Sequence, residues 1–260
     1  MHSDFSADCD TPMEKTIESA INRGLKEICF TEHIDYDYPD PTIVFDLDID
    51  NYRKKLNELR EKYKDKITIK TGVEIGLQPH LLERYNQLLN KEKFDFIICS
   101  MHTTNKQDLH SGDFFNDRTP EAAYQLYYDE LLYCVKNFEQ YSVLGHLDLV
   151  KRYKSLNTDK DFHEIIREIF NIIIPQGKGI ELNASGFAYG LGGAMPSKDI
   201  VELYHDCGGE FVTIGSDAHE PEHVAHRFSE IIDTLIDVGI KYVATFDQMQ
   251  PTFHSIKKLT

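Results

Sequence analysis

The sequence predicts an α/β fold on one mainly parallel sheet, a barrel or near-barrel of seven visible strands. Three observations predict it. Short β-rich runs alternate with amphipathic helical runs along the whole chain. No compositional break, repeat or Gly/Ser linker divides the 260 residues, so 1–260 is expected to be a single domain. Chemistry-bearing residues gather at the carboxyl ends of the β-rich runs, where parallel α/β folds assemble their sites. An open doubly wound sheet is the alternative.

The elements follow in order. Thr11, Pro12 and Glu14 read as a capping box with proline at the first helical position, opening a helix to about Arg23 that Gly24 stops. Residues 27–31 form a strand. Asp48 or Asp50 caps a helix through Tyr63. Residues 66–73 alternate with period two, as a strand does. A helix over 79–90 and a strand over 94–100 follow. Residues 102–118 are a long polar loop carrying Phe114 and Phe115, and loops of that length usually have a function. A helix then runs over 119–138, a short strand over 142–145, a helix over 159–175 and a strand over 179–183. The chain closes with a helix over 197–207, a strand over 211–215, a helix over 221–238 and a strand over 240–245. The glycines of 186–193 fit no nucleotide-binding spacing.

Composition sets limits. Hydrophobic residues make up 41% and charged residues 28%, which excludes a disordered chain. No apolar run approaches the ~18 residues of a membrane span. The net charge of −16 opposes nucleic-acid partners. It would also repel a small anionic substrate, unless bound cations reverse the local field. Five cysteines without a C-x-x-C pair, and a polar acidic start, predict reduced thiols in a cytoplasmic protein.

Five strand ends deliver His33, Glu74, His102, His146, Asp217 and His219 to one rim. Neutral imidazoles and carboxylates in a cluster are ligands for Zn, Fe or Mn. Six exceed the ~4 that one tetrahedral zinc takes, so two or three divalent metal ions are expected, a carboxylate bridging a pair. Lys151 and Arg152 follow directly on the 145–148 strand end and point toward the same rim. The planar fork of Arg152 suits two oxygens of an anion. Glu32, Asp35 and Asp37 read as solvated loop charges near the mouth. Asn183, His110, Phe114 and Phe115 are candidates for shaping the pocket, and Asp148 for giving a proton to the leaving group. Histidines 80, 163, 205, 223, 226 and 254 read as surface or packing residues.

Seven segments together resemble the PHP superfamily of metal-dependent phosphoesterases, and most closely its monofunctional histidinol-phosphate phosphatase branch. They are residues 2–8, 30–33, 72–74, 100–102, 145–148, 181–183 and 215–219. The resemblance implies a distorted β/α barrel of seven strands with three divalent ions. One would take His2, Glu74 and Asp217; a second would share Glu74 and add His102 and His146; a third would take Asp8, His33 and His219. It implies hydrolysis of L-histidinol phosphate by direct attack of a metal-bridging hydroxide. Asp217, His219 and Arg152 are the expected catalytic residues, Arg152 as the phosphate clamp, and Arg152, Lys151, Asn183 and His110 the expected substrate contacts, with Glu32, Asp35 and Asp37 able to meet the ammonium of that substrate. The chain departs from the family opening: Met1 stands between an absent first histidine and His2, so the body of the first strand is truncated. A start taken from an internal methionine would explain this; a real truncation would open one metal site and leave unpaired ladder groups that something must cover. Two rivals remain: hydrolysis of another small phosphoester, such as a nucleotide, and an inactive metal-binding barrel with a regulatory role.

Overall fold

In the computed structural model, which describes residues 1–153, 158 and 160–258, β1 (Glu27–Ile34) pairs in parallel with β2 (Thr68–Gly76). Their register sets His33 opposite Glu74. β3 (Phe96–Ser100) lies beside β2. A two-step hairpin, β4 (Thr103–Thr104) with β5 (Gln107–Asp108), stands apart from the main sheet. β6 (Val143–Leu144), β7 (Gly179–Asn183), β8 (Phe211–Gly215) and β9 (Tyr242–Asp247) continue the parallel order, and β10 (Gln250–Ser255) returns antiparallel to β9. The eight-stranded sheet, ordered β1-β2-β3-β6-β7-β8-β9-β10, curls into a half-barrel.

The helices are α1 (Met13–Asn22), α2 (Ile49–Tyr63), α3 (Leu82–Lys91), α4 (Pro120–Asn137), α5 (His163–Ile173), α6 (Ser185–Ala188), α7 (Lys198–Asp206) and α8 (Phe228–Val238). Asp48 caps α2 by accepting the Asn51 N–H at 3.1 Å, and Thr119 caps α4 by accepting from Ala122. Their apolar faces bury against the sheet. Met13, Ile17, Tyr52 and Leu56 cover β1, while Tyr127, Leu131, Ile169 and Phe170 belong to the larger core on β3, β6 and β7. Tyr52 donates to the Gly72 carbonyl at 2.9 Å, tying α2 to β2.

Four local expectations are corrected. Thr11 does not cap α1; its hydroxyl donates to the His219 carbonyl at 2.7 Å, so it anchors a site loop instead. The stretch 221–238 is not one helix. A 3-10 turn at Pro221–His223 precedes α8, and Ala225 and Arg227 adopt left-handed backbone between them. Phe114 and Phe115 are buried in the core and do not shape the pocket mouth. β10 was not foreseen, because Gln248 and Met249 turn the hairpin with positive φ where Asn-Gly would normally announce it. Residue 159, the expected start of α5, lies outside the described residues; the helix itself runs from His163.

Candidate metal centre

Glu74, at the end of β2, is the hub. Its Oε1 lies 3.1 Å from His102 Nε2 and 3.1 Å from His146 Nε2, while Oε2 lies 3.4 Å from His2 Nε2. His2 Nε2 is also 3.3 Å from Asp217 Oδ1. One carboxylate therefore presents each oxygen to a different group of nitrogens. On the outer side, Asp8 Oδ2 stands 3.5 Å from His33 Nε2 and 3.2 Å from His219 Nε2. The His2 ring stacks between His33 at 4.2 Å and His219 at 4.4 Å. All eight residues expected as ligands, His2, Asp8, His33, Glu74, His102, His146, Asp217 and His219, thus meet in one cluster.

The local chain explains the convergence. His33 and Glu74 share a register step, and His102 lies just beyond the end of β3. Close packing fixes the next loop: a Cβ on Gly145 would fall 2.1 Å from Ser100 Oγ. His146 and Asp217 both sit at positive φ, 32° and 51°, an uncommon conformation for residues with a Cβ and one that concentrates at functional sites.

Asp35 is the member that sequence reading placed wrongly. It is buried, not a loop charge, and its carboxylate lies 2.7 Å from His102 Nδ1 and 3.2 Å from His33 Nδ1. Both imidazoles therefore turn Nε2 inward. The signal was available, since Asp35 stands two residues beyond His33 on the same face of an extended chain. Glu32 is likewise buried, accepting from Ser3 Oγ at 2.6 Å and Ser6 Oγ at 2.7 Å, so it braces the amino-terminal turn and does not line the cavity. Asp37 pairs with His80 and Arg84 on the surface.

Electrostatics bind the cluster. Burial would lower His33, but the bond to Asp35 and the charges of Glu74 and Asp8 raise it to about 9. Burial would raise Asp35, yet His102 and His33 hold it at about 2. Burial also works against ionised Glu74 and Asp217. The first is held well below the usual carboxylate range by its bonds to His102, His146 and His2, the second by Arg152 and His2. Glu181, at the back of the site, goes the other way: burial and the charges of Glu74 and Asp217 push it up to about 7.

A cavity of about 580 Å³ opens over the cluster, within the range of small-molecule sites. Arg152 forms one wall. Its guanidinium reaches Asp217 Oδ2 at 2.8 Å and stacks over the Tyr189 ring at 4.3 Å, and its Nε is buried without a partner. His110, Tyr38, Phe45 and Tyr153 line the rest. Two expected contacts lie elsewhere. Lys151 is drawn away by Asp148 at 3.0 Å and Ser197 at 2.9 Å, and Asn183 is spent on Glu181 and Ser185. Asp148 itself is buried under Lys151 and the Ser197 N–H and is not part of the cavity lining. His223 and His226, read as surface residues, line the mouth.

The donor set fits divalent metal ions. His2 Nε2 is buried with no hydrogen bond although two carboxylates lie within 3.4 Å, an arrangement suited to ligands around a common point. His2, Glu74 and Asp217 form one such group; Glu74, His102 and His146 form another; His2, His33 and His219 a third.

Comparison with known proteins agrees. The PHP domain profile matches residues 1–185. The histidinol-phosphatase of Lactococcus lactis subsp. lactis is 33% identical over 255 residues, 96% of this chain and 93% of that one. A probable histidinol-phosphatase of Clostridium acetobutylicum is 28% identical, with 94% of each covered. Among solved structures, the Lactococcus lactis histidinol phosphate phosphatase complexed with zinc, L-histidinol and phosphate superposes with a TM-score of 0.85 at 31% identity, covering 97% of both chains. A putative histidinol phosphatase from Listeria monocytogenes shares the fold, with a TM-score of 0.73 at 20% identity over 88% of this chain and 97% of that one.

Proposed function

The chain belongs to the PHP domain family, and from that premise we propose that it hydrolyses L-histidinol phosphate to L-histidinol and phosphate. The observation that carries the reading is the cluster around Glu74, whose two oxygens face separate groups of nitrogens at the floor of a cavity sized for a small phosphoester. Three divalent ions, of zinc, iron or manganese, would be held by His2, Glu74 and Asp217, by Glu74, His102 and His146, and by Asp8, His33 and His219. When bound they supply charge neutralisation at a phosphate dianion and acidification of water.

The chain's own groups do the rest. Arg152 offers its fork to the phosphoryl oxygens. Asp217 orients it, and the Tyr189 face restricts its swing. Asp35 fixes the tautomers of His33 and His102 so that both nitrogens facing the centre are unprotonated in the loaded state. Tyr38, Phe45 and Tyr153 give the organic half of the substrate apolar and aromatic walls, with His110 edge-on to Tyr153 at 5.1 Å. Although the family profile ends at residue 185, β8 and β9 extend the same sheet and Asp217 comes from the loop after β8. We therefore take 1–260 as one working domain. Free cysteines and a biosynthetic reaction suit the cytoplasm. Among the described residues, no helix is long and apolar enough to cross a membrane.

The test is elemental analysis of the purified chain beside phosphate release from L-histidinol phosphate and a panel of small nucleotides. Metal with turnover on histidinol phosphate is the expected result. Faster release from a nucleotide would replace the substrate, and full metal with no turnover on any phosphoester would overturn the enzymatic reading.

A further inference from the structure

We propose that the outer edge of β10 is a dimer interface, where β10 of one copy pairs antiparallel with β10 of a second copy about a two-fold axis at Phe253. β10 ends the eight-stranded sheet, and among the described residues no strand lies beyond it. Backbone parity identifies what that edge offers. Ile256 N–H donates to the Lys241 carbonyl at 3.1 Å, and Ser255 stands opposite Tyr242 in the register. Alternate residues of an antiparallel strand turn their peptide groups to opposite sides. Gln250, Thr252 and His254 therefore bond toward β9, while Pro251, Phe253 and Ser255 turn their groups outward. The proline falls at an outward position, where its missing N–H costs the β9 ladder nothing.

Edge strands of monomeric proteins are normally blunted by charge, a bulge or a covering segment. β10 has no Asp, Glu, Lys or Arg over 250–255, although charged residues make up 28% of the chain, and its register with β9 runs through all six residues without a bulge. Phe253 is 51% exposed, and its ring meets Phe211 at 5.1 Å and Tyr242 at 6.0 Å, so an aromatic patch flanks the edge. With Phe253 opposite its own copy, the two exchange N–H and carbonyl bonds. Each Ser255 N–H then meets the Pro251 carbonyl of the other copy, a pairing that leaves only the Ser255 carbonyls to water.

Charge selects a second copy as the partner. Asp247, paired with Lys70, is exposed at one end of the strand; Lys257 is exposed at the other, with Lys241 beside it on β9, paired with Glu210. The two-fold lays each acidic end against the basic end of the other copy, whereas parallel pairing would set like ends together. A net charge of −16 opposes self-association elsewhere, which leaves this uncharged strand as the suited meeting place. Met249 N–H donates to the Asp95 carbonyl just before β3, and Tyr242 N–H to the Glu210 carbonyl just before β8. The hairpin thus sits at the amino ends of the sheet, opposite the rim that carries Glu74 and Asp217, and pairing leaves both cavities open.

Sedimentation equilibrium of the full chain is expected to show twice the 30.1 kDa chain mass at high concentration and the monomer on dilution. Phe253→Lys should weaken association about tenfold or more. Asp247→Lys and Lys257→Glu each set like charges face to face and should weaken it likewise. An equimolar mixture of those two variants should dimerise as the unaltered chain does, because every contact between them again joins opposite charges. Melting temperatures show that each variant is folded, and the mixture keeps the test valid should Phe253→Lys fail to fold. A monomer at every concentration up to about 1 mM would overturn the proposal. So would growth past the dimer, a dimer that folded Phe253→Lys leaves intact, or a mixture no more associated than its components.

Discussion

Replacing Asp35 by asparagine removes one negative charge and nothing of the shape, which makes Asp35→Asn a sharp probe of how the centre is held. The carboxylate faces two imidazoles at once: it accepts a hydrogen bond from His102 Nδ1 at 2.7 Å and stands 3.2 Å from His33 Nδ1 in an ion-pair contact. An amide can accept from only one of them. Its NH2 would face the other, whose Nδ1 must then become an acceptor, and that moves the proton to the Nε2 facing the centre. A protonated Nε2 cannot bind a metal. The two distances assign the consequence: His102, at the shorter contact, keeps its acceptor, and His33 is the histidine that flips tautomer. Losing a carboxylate of this kind behind a ligand typically costs ~10–100-fold in metal affinity or activity. Chelator competition on the loaded protein should therefore show one ion leaving about 10–100-fold more easily while the others stay, with turnover restored by excess metal. Unchanged competition curves for every ion would refute the argument, because Asp35 would then be serving the fold alone.

Three more outcomes follow from the same geometry. Arg152→Ala should lower kcat by about 10²–10³ on phosphoesters even with excess metal present to offset the loosened Asp217; equal turnover would remove it from the phosphate site. In the metal-free protein, His33 titrates at about 9, above its ordinary 6.5. The stabilisation from its charged form is complete below pH 6.5 and is lost as pH rises through 9, whereas metal binding needs the neutral ring. Apparent metal affinity should rise across that window with proton release, which calorimetry in buffers of different ionisation enthalpy would detect; no buffer dependence would count against it. Gly145→Ala places a methyl group 2.1 Å from Ser100 Oγ and should cost about 1–3 kcal/mol in a melting or denaturant assay. Adding Ser100→Ala should recover part of that loss, and a double variant no better than the single one would exclude the clash as its cause.

The parts of the centre that were legible in the sequence are those governed by a strand period. A parallel sheet sends every strand's carboxyl end to one rim, so His33, Glu74, His102, His146, Asp217 and His219 could be grouped before any distance was known. Asp35 obeys the same period and was still misplaced, because its acidic neighbours made the segment read as a solvated loop. The cavity walls were not legible for a different reason. Lys151 and Arg152 are adjacent and equally charged, yet the turn at Leu149–Lys151 sends one to Asp148 and Ser197 and the other to Asp217. That choice depends on where the segments carrying Ser197 and Asp217 dock, which no local pattern records. His223 and His226 reach the mouth because Ala225 and Arg227 break an apparently continuous helix with left-handed backbone, and neither residue type advertises that conformation.

The same division explains why the centre tolerates so little local freedom. The side chains read as its ligands come from far-separated segments of the chain, most of them at strand ends, so each is aimed first by its own segment. Where strand geometry alone does not aim the side chain, the backbone is bent to do so: His146 and Asp217 at positive φ, with Gly145 packed against Ser100 to permit the first. Such backbone costs of order 1–3 kcal/mol per residue and persists only when the surroundings over-determine it. In the metal-free chain the buried ion pair with Arg152 supplies part of that constraint at Asp217, while Asp35 holds the neighbouring His102 and His33. The cluster of imidazoles and carboxylates around Glu74 is therefore arranged by the protein in advance of any cation, and bound cations would complete its charge balance without having to assemble it.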